Sequence, residues 1–151
     1  MTTPERGKAA ADLVKVTIPL PEGTWHRHAS EGLWAESLGT NRFRLRNIPF
    51  FAYELSLDDV VQVGHSGVDV IERAGHSTYR VFLRDGLPPS DLDEWLGRLE
   101  LAGANYERAT ARLIALDVPP AADVFGVYDV LKQGTDRHVW DFEEGHVGHP
   151  V

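Results

Sequence analysis

The spacing of the apolar residues changes once along this 151-residue chain, close to Leu83. Before that point, short apolar segments alternate with polar residues at a period of two and are separated by glycine, proline and asparagine, as is typical of β-strands. After it, two segments carry apolar residues at helical spacing, with short strand-like segments around them. The chain therefore divides into an all-β part and a mixed part, and we expect an α+β fold.

Residues 13–75 are expected to form an all-β subdomain. The Gly39-Thr-Asn41 segment predicts a hairpin, because glycine and asparagine favour the backbone conformation of tight turns. Strands are predicted at 13–18, 33–38, 42–45, 59–63 and 68–72. Several short strands in succession favour a small β-barrel or sandwich-like arrangement.

Residues 76–151 are expected to form a ferredoxin-like subdomain. Ser90-Asp-Leu-Asp93 resembles a capping box and predicts a helix that ends near Gly103. A second helix is predicted after Pro119-Pro120, ending at Gly134. The apolar positions on the two helical faces are Leu92, Trp95, Leu96 and Leu99, then Val124, Val127, Tyr128 and Leu131. With strands at 77–83, 106–109, 113–118 and 138–142, the order is the β-α-β-β-α-β of a ferredoxin-like unit.

Composition excludes several classes of protein. The chain has no cysteine, so disulfides and thiol chemistry are ruled out, and a cytoplasmic location is expected. The net charge is −8, and residues 81–151 carry six Lys/Arg against thirteen Asp/Glu, which argues against nucleic-acid binding. No apolar run approaches the ~20 residues of a membrane span. Residues 1–12 are small and polar and are predicted to be a flexible leader.

The C-terminal segment from Trp140 to Val151 is predicted to be a docking tail. It contains two aromatic residues, the carboxylates of Glu143 and Glu144, and the imidazoles of His146 and His149. Imidazole and carboxylate are suitable ligands for a divalent metal ion, so metal binding by the two histidines is an alternative. Docking is favoured because no regular element is predicted to hold the histidines in a ligand geometry, and no cofactor is predicted.

Two further segments contain candidate functional residues. Gly75-His-Ser-Thr78 lies where the two predicted parts meet, and pockets often form at such junctions. His76 could transfer a proton near neutral pH, and Ser77 could act as a nucleophile beside a base. The aromatic residues of Asn47-Ile-Pro-Phe-Phe-Ala-Tyr53 are expected in the β core, although an exposed Tyr53 would mark a binding surface.

Several of these segments resemble the bacterial family called domain of unknown function 4265. They are Arg46-Asn-Ile-Pro-Phe-Phe-Ala-Tyr53, Gly75-His-Ser-Thr-Tyr-Arg80, Asp117-Val-Pro-Pro120 and Trp140-Asp-Phe-Glu-Glu-Gly-His146. The resemblance covers residues ~13–151 but implies no activity. It does imply one shared site, with candidates at Arg46, Asn47, Glu72, His76, Arg80, Glu143, Glu144 and His146. Tyr53, Ser77 and Trp140 complete the predicted ligand-binding set.

Two functions are compatible with these observations. The favoured one is a non-catalytic binding or regulatory protein that recognises a protein partner or a small ligand at the junction of its two parts. The alternative is a small enzyme, for example in specialised metabolism, that uses His76 with Glu143, Glu144 or His146 for acid–base or metal-assisted chemistry. That alternative requires His76 to lie within hydrogen-bond reach of those residues, or one water molecule away.

Overall fold

A computed structural model describes residues 13–149, so the predicted leader and the last two residues of the tail lie outside the described part. The described chain contains two antiparallel sheets and two helices. The first sheet consists of β1 (Leu13–Pro19), β2 (Ser30–Gly39), β3 (Arg42–Leu45), β4 (Val60–Gly64) and β5 (Gly67–Glu72). The second sheet consists of β6 (Ser77–Leu83), β7 (Asn105–Arg108), β8 (Leu113–Val118) and β9 (Trp140–His146), and the helices are α1 (Pro89–Leu101) and α2 (Val124–Asp136).

The first sheet is an open meander and not the predicted barrel. Its strands pair in sequential order from β1 to β5, and the predicted hairpin at Gly39-Thr-Asn41 is confirmed between β2 and β3. Among the described residues, β1 and β5 do not pair with each other. Ala52 and Leu55, from the connection between β3 and β4, line a cavity of about 350 Å³ together with residues of both edge strands. The connection therefore packs beside both edge strands of the open sheet.

The second sheet has the strand order β7-β8-β6-β9, and its elements follow one another in the predicted order. One face packs against α1 and α2, because Tyr79, Val81 and Leu83 on β6 belong to the same buried cluster as the apolar faces of the helices. Thr78 and Arg80 alternate with these residues and therefore point to the opposite face. Neither helix of the described part has the length and apolar character needed to cross a membrane.

Several predicted boundaries differ from the structure, and three of these differences affect how side chains are placed. Helix α1 begins at Pro89 with Pro88 as its N-cap, so Ser90 lies within the first turn and does not cap it. Gly134 lies inside α2, where a Cβ atom would overlap the indole ring of Trp140. Strand β9 continues to His146. Most of the predicted tail is therefore sheet, and its side chains alternate between the two faces.

Candidate functional site

The connection between β3 and β4, residues 46–59, is held by one charged side chain from each sheet. The buried carboxylate of Glu31 on β2 accepts hydrogen bonds from the backbone N–H groups of Phe50, Phe51 and Ala52 at 2.6, 3.0 and 2.9 Å. The fully buried guanidinium of Arg80 on β6 donates to the carbonyl oxygens of Phe50 and Ala52. This connecting loop is therefore fixed between opposite charges that do not contact each other directly.

Tyr53 connects the same loop to β9. The Arg80 guanidinium lies 4.9 Å from the centre of the Tyr53 ring, and the Tyr53 hydroxyl donates to Glu143 Oε2 at 2.7 Å. Burial, with the hydrogen bond to Glu143, raises the pKa of Tyr53, and burial lowers the pKa of Arg80. Trp25 Nε1 also donates to the Tyr53 hydroxyl at 3.0 Å. Three predicted site residues, Tyr53, Arg80 and Glu143, thus interact with one another and with the loop.

His76 forms a dyad with a carboxylate that the sequence analysis did not select. Its Nδ1 lies 2.7 Å from Asp117 Oδ1, and Asp117 is fully buried on β8. Burial raises the pKa of Asp117, and the hydrogen bond to His76 partly opposes that effect. His76 Nε2 lies 3.7 Å from Asp58 Oδ2, and Asp58 forms an ion pair with Arg46. A buried carboxylate at Nδ1 orients the ring and leaves Nε2 directed toward Asp58.

A groove of about 450 Å³ lies between the two sheets, next to this dyad. It is lined by Arg46, Ile48, Leu57, Glu100, Asn105, Tyr106 and Glu107. Arg46 forms an ion pair with Asp58, and Asn105 on β7 pairs opposite Asp117 on β8, so two lining residues lie beside the dyad or its partner. We call it the junction groove, because its walls come from both halves of the chain.

Glu107 is the most perturbed carboxyl group of the junction groove. Burial raises its pKa, while the hydrogen bond from the backbone N–H of Ile48 acts in the opposite direction. Asn47 Oδ1 accepts a hydrogen bond from Trp34 N at 2.8 Å, so it ties the start of the connecting loop to β2. A titratable group with a raised pKa in a cleft is a frequent property of functional sites.

The residues after β9 dock on the start of β6. Ser77 is buried, and its Oγ accepts hydrogen bonds from the backbone N–H groups of Gly148 and His149 at 2.9 and 3.3 Å. The Ser77 Oγ also lies 2.7 Å from His149 Nδ1, while His149 Nε2 lies 2.9 Å from the carbonyl oxygen of Pro119. Ser77 therefore anchors the chain after β9.

The predicted contact of the His76 side chain with Glu143, Glu144 or His146 is not found, although the chain after β9 packs against the His76 backbone at Gly148. The polar partners of His76 are Asp117 and Asp58. Glu143 binds Tyr53, while His146 lies 3.3 Å from Arg73 and 3.6 Å from Glu54. Glu144 pairs opposite Tyr79, on the helix-covered face. Side chains alternate along β9, so the predicted acid–base set is distributed over two faces of the sheet.

The other predicted residues occupy separate positions. Trp140 is fully buried, donates to the Leu131 carbonyl oxygen at 3.0 Å and stacks edge-on against Trp95, so it is a core residue and not a ligand contact. Glu72 is exposed at the end of β5. His146 and His149 have different polar neighbours, and residues 13–149 contain no group of three His, Asp or Glu side chains suited to a metal ion.

Sequence reasoning missed four residues that organise this region: Glu31, Asp58, Asp117 and Glu107. For one of them, Asp117, the sequence did contain a signal. Asp117 is the acidic residue of the otherwise apolar strand Leu113–Val118, all of which is buried, and buried carboxylates are rare unless they have partners. The other three occupy ordinary polar stretches, and only the folded chain distinguishes them from solvent-exposed carboxylates.

Comparison with known proteins identifies the family and supports the fold. The family model described as "Domain of unknown function (DUF4265)" matches residues 31–142, and the chain belongs to this family. A crystal structure titled as that of a hypothetical protein from Neisseria gonorrhoeae is similar, with a TM-score of 0.72 and 17% sequence identity. The alignment covers 89% of this chain and 96% of that one, and at this identity it shows the fold alone. A search of curated proteins finds no match.

Proposed function

We propose that the chain is a binding protein whose site is the junction groove. The observation that carries the proposal is the mixed character of its walls, which combine a guanidinium, two carboxylates, an amide and two aliphatic side chains in about 450 Å³. That volume is within the usual range for small-molecule sites. The expected ligand is a small zwitterion with an aliphatic part, as in an aliphatic amino acid.

Each group of such a ligand has a partner in the groove. Arg46 uses NH1 for Asp58, and the guanidinium carries further N–H donors that a ligand carboxylate can accept from. Glu107 and Glu100 supply negative charge for an ammonium group. Ile48 and Leu57 offer apolar surface for an aliphatic side chain. The ligand therefore needs two opposite charges, and a neutral analogue should bind poorly.

The test is an NMR titration of ¹⁵N-labelled protein with L-leucine, using N-acetyl-L-leucinamide as the uncharged control. We expect saturable shifts of the Ile48 and Glu107 amides with leucine below about 10 mM, and a weaker response to the amide. Glu107→Gln should weaken leucine binding about tenfold, because one charge-assisted hydrogen bond is lost. Glu94→Gln, which alters an exposed ion pair on α1, should leave binding unchanged. Equal binding of the two probes, or no shift with either, would refute the proposal.

A proton-transfer enzyme is the second candidate, and the 2.7 Å contact of His76 with buried Asp117 favours it. In this version of the enzyme hypothesis, the carboxylate that orients His76 is that of Asp117, and not that of Glu143 or Glu144. Hydrolysis of p-nitrophenyl acetate provides a general assay for a reactive imidazole. His76→Gln should reduce the rate by tenfold or more, whereas His65→Gln should not. Wild-type activity in the His76 variant would exclude this candidate.

We also propose a fold class for the second part of the chain. We assign residues 76–149 to the ferredoxin-like class, supported by the element order β-α-β-β-α-β and by the position of β6 between β8 and β9. The division near residue 75 and the cytoplasmic location are also proposed. The absence of cysteine from the sequence supports the location.

A further inference from the structure

A second concave surface lies on the other side of the second sheet, where α2 begins and β9 ends. It encloses about 290 Å³ and is lined by Tyr79, Val124, Phe125, Tyr128, Glu144, Val147 and His149. We call it the aromatic groove. Phe125 is 77% exposed and Tyr128 43% exposed, although both belong to a helix that buries its opposite side. Exposed aromatic residues gathered around a cavity are unusual on a protein surface.

The charge of the aromatic groove is negative. Glu144 supplies a carboxylate, and the described lining contains no lysine or arginine. Burial and the nearby charge of Glu144 raise the pKa of Tyr79, which is consistent with a carboxylate close to the aromatic wall. Asp123 adds a second carboxylate at the start of α2, where it accepts a hydrogen bond from Gly126 N and opposes the positive end of the helix.

The hydrogen-bond partners of His149 accommodate an uncharged ring. The Pro119 carbonyl oxygen can only accept a hydrogen bond, so His149 Nε2 carries a proton. The Ser77 Oγ already accepts two backbone N–H groups, so its own hydrogen points to His149 Nδ1. Both ring nitrogens are therefore satisfied by a neutral imidazole.

We propose that the aromatic groove binds a free quaternary ammonium compound of about the size of choline. A trimethylammonium group interacts with aromatic faces and gains electrostatic energy from a nearby carboxylate, and it needs no hydrogen-bond acceptors. The aromatic groove offers the exposed rings of Phe125 and Tyr128, two aliphatic side chains and one lining carboxylate, with the buried Tyr79 completing its wall, which matches that requirement. This site shares no lining residue with the junction groove, so the two proposals stand or fall separately.

The test compares choline with 3,3-dimethylbutan-1-ol, in which carbon replaces the charged nitrogen. In an NMR titration, choline should shift the amides of Phe125, Tyr128 and Glu144 and bind at least about fivefold more tightly than the alcohol. Phe125→Leu and Glu144→Gln should each weaken choline binding about fivefold or more. Leu101→Ala, at a residue 90% exposed on α1, is the matched surface control and should have no effect.

Three other results would contradict the proposal that the aromatic groove binds a free quaternary ammonium compound. Equal binding of choline and the alcohol would indicate an apolar surface without cation recognition. Absence of shifts at the aromatic groove would show that quaternary ammonium compounds do not bind there. A trimethyllysine peptide that binds much more tightly than choline would assign the surface to a protein partner. Because both variants change exposed or half-exposed side chains, unfolding will not obscure the result.

Discussion

Glu31 is the residue whose replacement tests most directly how the two halves of the chain are joined. Its carboxylate, 6% exposed, accepts three backbone hydrogen bonds from the connecting loop. Glu31→Gln keeps the size of the side chain but replaces one oxygen by an N–H₂ group. The carbonyl oxygen of glutamine can still accept from Phe51 and Ala52, whereas the new N–H₂ group faces the N–H of Phe50. One charged hydrogen bond is lost, and the new N–H₂ group is a buried donor that meets another donor.

The expected cost follows from these two changes. Losing the hydrogen bond from Phe50 N–H to a charged acceptor costs about 1.5 kcal/mol or more, and the new N–H₂ group of glutamine, a buried donor that meets another donor, costs about as much again. We therefore expect Glu31→Gln to reduce the free energy of unfolding by about 3 kcal/mol. That is a large part of the stability of a typical domain, so the variant should unfold at a clearly lower urea concentration.

Urea unfolding followed by tryptophan fluorescence measures this difference. Glu36→Gln is the matched control, because Glu36 lies on the same strand but forms a partly exposed pair with Arg44. Its replacement should change the unfolding free energy by less than about 1 kcal/mol. If Glu31→Gln costs no more than Glu36→Gln, the three hydrogen bonds do not hold the loop and the reasoning is wrong.

Two further predictions concern packing and pH. Gly134→Ala should destabilise the fold by about 2 kcal/mol or more, because its Cβ would overlap the rigid ring of Trp140. Gly97→Ala in α1 should stabilise the fold by up to about 1 kcal/mol, because the added Cβ would have no neighbouring atom within 4 Å and alanine favours the helix. Thermal unfolding measures the sign of each change, and equal shifts of the two melting temperatures would contradict the packing argument. Burial raises the pKa of Asp117, so the folded state holds this proton more tightly than the unfolded state, and the contribution of Asp117 to stability falls as the pH rises above about 4. Asp117→Asn should therefore gain stability relative to the wild type in urea titrations as the pH rises above about 4, and a constant difference would show that the pKa is not raised.

The local elements could be predicted because each depends on residues close in sequence. Period-two alternation located the strands, and the Gly39-Thr-Asn41 turn was correct because few other residues adopt its backbone conformation. The predicted barrel was wrong because closure of a sheet depends on contacts between segments that are distant in sequence. Alternation indicates which face of a strand is buried, but it does not indicate what covers that face. Here Ala52 and Leu55 from a loop lie beside the edge strands.

The candidate site was predicted in part. His76 was identified, but its assigned partners were the carboxylates of the tail, which form a conspicuous cluster in the sequence. Its actual partner, Asp117, lies 41 residues away along the chain and becomes adjacent because β6 pairs with β8. Arg80 and Glu143 do lie opposite each other on β6 and β9, yet their polar atoms hold the connecting loop.

By itself, the sequence determined the α+β class, the order of the elements and the exclusion of thiol chemistry, because these depend on composition and on spacing within one segment. Only the tertiary structure decided that the first sheet stays open, that His76 pairs with Asp117, and that two grooves of different chemistry lie on opposite sides of the second sheet. Strand register and loop placement bring distant residues together, and both result from the packing of the whole chain.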